Sequence, residues 1–249
     1  MKAIFIKELR TFFNSPSTYF IIGVFLLITS LLTWVFPDPA PNILDSGIAN
    51  LSIFFEFTPW LIILLIPIIT MGILSDEIRG KTLEVLLTKP ISEFSLIMGK
   101  FFACLLFVII TFFPTIIYVF CIKDLSENTL DFFQIITGYT GLILISSLCI
   151  SIGIFFSTIS SKNLVAFILT FITLLFLIEG IDIIQKMQAL ELLQTFSISD
   201  RSEGFFKGIL DLKDIFFFIS TTILFLFLST EFLKKKTMKN IFFFKISFL

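Results

Sequence analysis

Histidine is absent from this sequence. With it go the commonest general base near neutral pH and the commonest metal ligand. Cysteine is scarce: Cys104, Cys121 and Cys149 are the only three, and all fall in apolar runs. Their spacing fits neither a zinc site nor a redox pair, so they read as small apolar residues. Charged residues make up only 15% of the chain and sum to −1. No nucleic-acid partner is expected from that balance. No G-x-x-x-x-G-K-[ST] run occurs, so any nucleotide chemistry must come from another subunit. The apolar/polar alternation over about ten residues that marks an outer-membrane barrel is missing too.

What fills the chain is apolar. Hydrophobic residues account for 57%, mean hydropathy is +1.04, and phenylalanine alone contributes 36 residues. A soluble domain of this size would expose more apolar surface than water tolerates. The composition therefore predicts an all-α integral membrane protein. A spanning helix needs about 20 apolar residues. Six runs qualify, at about 17–36, 57–74, 98–122, 132–156, 163–179 and 214–233. The fifth is the weakest, because its uncharged core runs only from Leu164 to Ile178. The first has the basic start of a signal peptide, but its exit, Trp34-Val35-Phe36-Pro37-Asp38-Pro39, offers no small-x-small cleavage motif. A retained span is expected there. Pro59, Pro67 and Pro114 should kink the second and third spans.

Lysine and arginine set the orientation. With the N-terminus inside, the cytoplasmic face collects Lys2, Lys7, Arg10, Arg79, Lys81, Lys89, Lys100, Lys162, Lys234, Lys235, Lys236, Lys239 and Lys245. The outer face keeps Lys123, Lys186, Arg201, Lys207 and Lys213, and Trp34 and Trp60 lie at its interface. An even span count puts both termini inside. Residues 1–15 read as an amphipathic helix on the membrane surface. Its broad apolar face is Ala3, Ile4, Phe5, Ile6, Leu9, Phe12 and Phe13; Lys2, Lys7, Glu8 and Arg10 are its polar positions. Asn14-Ser15-Pro16-Ser17 then breaks it. The outer loops are too small to form a domain; the longest, 180–213, should hold one or two short helices such as Ile183 to Leu193. The apolar tail 241–249 is too short to span.

The centres of all six runs lack ionisable groups; Glu56, Glu179 and Glu231 stand at their edges. That removes the mid-bilayer acid of a proton-coupled carrier. It also removes the paired carboxylates or Lys-Ser pair of an intramembrane enzyme. Serines and threonines are scattered through the spans without a substrate-binding pattern. If the protein moves something, the energy enters from elsewhere.

Dense polarity is concentrated between the second and third spans, at 75–92. Asp76 and Glu77 would oppose the dipole at a helix C-terminus, so they either continue the helix or open the next one. Arg79 follows, and Gly80 permits a sharp turn. From Thr82, a natural N-cap, Leu83, Leu86 and Leu87 recur at helical spacing with Glu84 on the other face. Pro90 ends the pattern and Ser92 caps the third span. The spacing predicts a short amphipathic helix parallel to the membrane, pinned between two spans, where a soluble partner can push on both.

The run Asp76-Glu77-Ile78-Arg79-Gly80-Lys81-Thr82-Leu83-Glu84-Val85-Leu86-Leu87-Thr88-Lys89-Pro90-Ile91 resembles the coupling segment of ABC-2 type transporter permeases. Lys7-Glu8-Leu9-Arg10 before the Ser-Pro break resembles that family's opening. Lys81 stands as a one-residue insertion in the commoner Gly-Thr pair. The resemblance covers the whole chain, 1–249, as a single transmembrane domain with six spans, an interfacial first helix and a cytoplasmic coupling helix. Within the family, the Thr-Lys-Pro-Ile ending and the Phe/Ile/Lys-rich style look like the gliding-motility permeases of Bacteroidetes. The resemblance implies a non-catalytic permease subunit in a bacterial inner membrane. It implies ATP and Mg bound by a separate ABC ATPase, and a second permease, the same or related. For gliding motility it also implies a companion with a large external domain. The coupling residues it implies are Asp76, Glu77, Arg79, Gly80, Thr82, Leu83, Glu84, Leu86, Leu87 and Pro90, with Lys7, Glu8 and Arg10 on the surface helix. The competing reading of the same segment is a membrane scaffold that recruits soluble proteins without transporting cargo.

Overall fold

The computed structural model describes residues 1–36, 51–80, 82, 92–125, 131–180 and 197–247. Among the described residues there are α-helices, one 3-10 turn and one π turn, and no strand. Helix α1 (Lys2–Asn14) is the amphipathic element expected at the start of the chain. Ser15 leaves it in extended backbone (φ −92°, ψ 123°), and Pro16 opens α2 (Pro16–Trp34). A proline fits that first turn because its missing N–H would have had no helical partner. Tyr19 Oη donates to Phe13 O at 2.8 Å and holds the corner between the two helices.

Helix α3 (Ser52–Thr70) runs through both Pro59 and Pro67. A turn at 71–74 separates it from α4 (Ser75–Arg79), whose first turn holds Asp76 and Glu77. The acids thus open a new helix, the end at which its dipole favours them. Helix α5 (Glu93–Phe112) starts at Ser92, whose side chain accepts from Ser95 N at 3.3 Å. Pro114 lies in a 3-10 turn, Phe113–Thr115, between α5 and α6 (Ile116–Leu125), so the third expected span is interrupted where the proline sits. Helix α7 (Phe132–Ile159) is capped by Asp131, and α8 (Asn163–Leu175) widens into a π turn at Phe176–Gly180. Helices α9 (Ile198–Phe206) and α10 (Leu212–Ser247) complete the chain. The backbone of α10 stays helical into the apolar tail. The helix expected at Ile183 to Leu193 lies outside the described residues.

Among the described residues, five stretches are long and apolar enough to cross a bilayer: Pro16–Trp34, Ser52–Arg79, Glu93–Lys123, Phe132–Ile159 and Leu212–Lys236. The fifth expected span instead forms a shorter apolar helix, Asn163–Ile178. At about 1.5 Å per residue it rises only about 24 Å, short of a hydrocarbon core of about 30 Å. Its start is fixed by the polar Ser160-Ser161-Lys162 turn, which the apolar core cannot extend through.

The bundle is built around α7. Inside the protein, 67% of its most apolar window is buried, against 22% for α2 and 28% for α10, which ranks α7 as central and the other two as peripheral. Its apolar residues are spread over every side, as in a helix surrounded by others. Close approach to α3 depends on Gly153, where an added Cβ would stand 2.8 Å from Thr70 Cβ. Small residues at such crossings let membrane helices gain van der Waals contact, which lipid otherwise supplies equally well. At one end of the bundle Lys236 Nζ, on α10, donates to Thr158 O at 3.2 Å and Ile159 O at 3.4 Å, capping the carbonyl end of α7. At the opposite end Arg201 Nη1 on α9 pairs with Asp214 Oδ1 on α10 at 2.6 Å, its guanidinium lying 4.3 Å from the centre of the Phe217 ring.

Candidate functional site

The short helix α4 opens the charged segment, and polar side chains bolt it to four other helices. Towards α7, the backbone N–H groups of Leu74 and Ser75 donate to Ser157 Oγ at 3.0 and 3.2 Å. Both are orphan donors at a helix start. Ser157 Oγ in turn donates to Met71 O at 3.3 Å. Towards α8, Ser75 Oγ donates to Asn163 Oδ1 at 2.8 Å, and Asn163 Nδ2 donates to Asp76 Oδ1 at 2.9 Å. Asp76 also accepts from Arg79 Nη2 at 3.0 Å, an exposed pair.

Towards α1 and α5 the link is ionic. Glu77 Oε1 lies 3.1 Å from Lys7 Nζ and 3.0 Å from Lys100 Nζ. Lys100 Nζ also donates to Glu8 Oε1 at 2.9 Å and to Ile73 O at 2.8 Å. An ammonium has three donors, and three acceptors stand within reach of this one. The Lys100 side chain is 1% exposed, with Glu8 at 11% and Glu77 at 14%, whereas Lys7 is 55% exposed. Burying one such charge alone costs several kcal/mol. The four side chains form a neutral set, which removes most of that penalty. Glu77 Oε2 is buried without a hydrogen bond among the described residues, so both cations converge on a single oxygen.

Burial works to lower the Lys7 pKa, but the hydrogen bond and charge of Glu77, and then the charge of Glu8, outweigh it and raise the pKa above its ordinary 10.5. A raised lysine pKa contributes stability that is complete below the unfolded value. It is lost only as pH rises through the folded one. The Lys7 contact is therefore intact across the neutral range.

Helix α1 is seated on the protein. The Phe12 and Phe13 rings lie 5.3 and 6.4 Å from the Phe107 ring of α5. At Gly99 of α5 an added Cβ would stand 3.1 Å from Ile4 Cγ2. Glu8, expected among the polar positions of a surface helix, is instead buried on the α5 side beside Ile4. Lys7 reaches α4, and Arg10 is exposed farther along α1.

Of the residues singled out in the charged segment, Asp76, Glu77 and Arg79 gather at this hub. Thr82 is exposed and its Oγ1 donates to Glu77 O at 3.4 Å. Gly80 caps α4 in right-handed backbone (φ −77°), so its freedom at positive φ is not used. Leu83, Glu84, Leu86, Leu87 and Pro90 lie outside the described residues. Sequence reasoning missed Ser157 and Asn163, and read Lys100 only as a mark of orientation. Two signals pointed to it: a lysine three residues into an apolar run, and an acid, Glu8, in helical register with Ile4 and Phe12.

The hub gives a direct prediction. Ser157→Ala strands two buried N–H groups, at a cost of about 1–3 kcal/mol. Hydrogen exchange at the Leu74 and Ser75 amides is expected to accelerate while exchange in α10 stays unchanged.

A bundle of apolar helices, five of them long enough to cross a bilayer among the described residues, with a charged segment anchored between two of them, defines a polytopic membrane protein. The chain matches the model of the ABC-2 family transporter protein over residues 2–248 and belongs to that family. The family is a membrane component of ABC transporters and normally works with an ABC ATPase subunit. No curated protein matches the chain.

Proposed function

We propose that this chain is the non-catalytic permease subunit of an ABC-2 type transporter. A separate ATPase that binds ATP and Mg docks on the segment from Lys81 to Ile91. The observation that carries this reading is the fourfold anchoring of α4, directly ahead of that segment. A push there is delivered to α1, α5, α7 and α8 together, which a loop tethered only by its chain ends cannot do.

The orientation follows from lysine and arginine. The end of the bundle holding α1 and α4 also holds Lys162, Lys234, Lys235 and Lys236. On the positive-inside rule this is the cytoplasmic face, with both termini inside a bacterial inner membrane. Helix α8 makes a sixth crossing in a locally thinned bilayer, and a second permease, the same or related, completes the pathway. The Thr88-Lys89-Pro90-Ile91 ending supports gliding motility as the setting, with a companion that carries a large external domain.

The test is co-purification with the ATPase from native membranes. Glu84→Lys and Leu87→Asp are expected to insert normally and to lose the ATPase. Normal recovery in both variants would rule out coupling through this segment. An ATPase that binds but hydrolyses ATP at the same rate with and without the permease would favour the scaffold reading.

A further inference from the structure

We propose that Lys100 is a positioning residue that makes α1, α4 and α5 move as one unit. Its ammonium sits in α5, yet it holds Glu8 of α1 at 2.9 Å, Glu77 of α4 at 3.0 Å and the carbonyl of Ile73 at 2.8 Å. Helix α1 is distant in sequence from the other two; Glu8 and Lys100 are 92 residues apart. Nothing in local helix formation brings them together. The ammonium is the least exposed group of the set, at 1%, so water cannot replace it as a partner. Without it, the two glutamates would share among the described residues only Lys7, which stands 3.6 Å from Glu8 and 3.1 Å from Glu77.

The geometry makes the clamp tight in one sense and adjustable in another. Each carboxylate meets both lysines, since Glu8 Oε1 and Glu77 Oε1 are each within 3.6 Å of Lys7 Nζ and within 3.0 Å of Lys100 Nζ. A small slide of α4 past α1 can exchange one cation for the other without leaving a buried charge alone, the event that is expensive. Withdrawal of α4 from both α1 and α5 does leave one alone, because Glu77 then loses both of its cations. Sliding is therefore permitted and parting is not. When α4 is displaced, α1 follows, and so does α5, whose first turn is only a few residues from Lys100. That displacement drives transport only if the permease reading above holds. The clamp itself does not depend on it.

The experiment measures the distance between spin labels on α1 and beside α4. They are introduced as Thr11→Cys and Thr82→Cys with Cys121→Ser, in the full chain in nanodiscs of phosphatidylglycerol and phosphatidylethanolamine. All three substituted positions are exposed, and Cys104 and Cys149 are buried. The unmodified clamp is expected to give one narrow distance population. Lys100→Met leaves the set with net negative charge, and that population is expected to be lost. Adding Glu8→Gln to Lys100→Met restores neutrality and is expected to narrow the distribution again. Glu8→Gln alone leaves net positive charge and is expected to broaden it.

This reversal in sign is the signature of a charge clamp. A lysine acting only as an apolar filler gives Glu8→Gln the same effect in both backgrounds, and that result overturns the proposal. So does a narrow population in Lys100→Met. If Lys100→Met does not accumulate in the membrane, Glu8→Gln alone decides: a broadened population supports the clamp and an unchanged one refutes it. The same labelled proteins, mixed with the ATPase, test the permease reading separately. Intact distances with no stimulation of hydrolysis would sink that reading and leave the clamp standing.

Discussion

Glu77→Lys is expected to cost about 3–5 kcal/mol of stability, the range for breaking a buried ion pair by removing one partner. In the native protein Glu77 faces two ammonium groups, one of them almost fully buried. The substitution sets a third cation beside them and leaves Glu8 as the only counter-charge paired with them among the described residues. The ammonium of Lys100 cannot retreat to water, because its stem is enclosed between α1, α4 and α5. The loss is read as a lowered midpoint of thermal unfolding for the detergent-solubilised chain, followed by helical circular dichroism. Glu77→Gln keeps the shape and removes only the charge, so a smaller drop is expected. A wild-type midpoint in Glu77→Lys would mean that the pairs at 3.0 and 3.1 Å carry no energetic weight.

Gly153→Leu is expected to be nearly as damaging, for a steric reason. Helices α3 and α7 cross with no room for a side chain at this point: an added Cβ would meet Thr70 at both Cβ, 2.8 Å, and Cγ2, 3.0 Å. Neither atom is the far end of a flexible chain, so the helices must part. Overpacking costs about 1–3 kcal/mol and occasionally more. The upper end is expected here because α7 is the centre of the bundle. The same unfolding midpoint reads the effect. Thr70→Gly removes the facing side chain and is expected to recover about half of the loss, after its own helix penalty of about 1 kcal/mol. A midpoint unmoved by Gly153→Leu would refute the close crossing.

Much of this architecture was legible in the chain itself. The long apolar runs gave α2, α3, α5, α7 and α10, because a bilayer imposes a length that sequence displays directly. The break at Pro16 and the cap at Ser92 were legible because both act within one helical turn. The acids Asp76 and Glu77 opened a new helix, one of the two outcomes the dipole argument left open.

What could not be read is the partner of each polar group. Lys100, Glu8 and Glu77 are ordinary residues at ordinary positions until the fold brings their helices together. Asn163 had even less to announce it. It lies just after a polar turn, where an asparagine needs no explanation, yet its amide satisfies both Ser75 and Asp76. The shortfall in α8 was partly legible, since the fifth run was already the weakest of the six.

Because α4 is held from four sides, no single neutral contact carries it. Removing the Ser157 hydroxyl or the Asn163 amide leaves the remaining attachments to share the load, and such variants should show graded defects. Pairs of them should lose more than the sum of their separate losses, as the last supports of any redundant structure do. Charge reversals escape this buffering, since they add repulsion rather than subtract a support. Selection screens on this protein would therefore find tolerance at the hydroxyls and amides around α4, and intolerance at the few atoms where opposite charges meet.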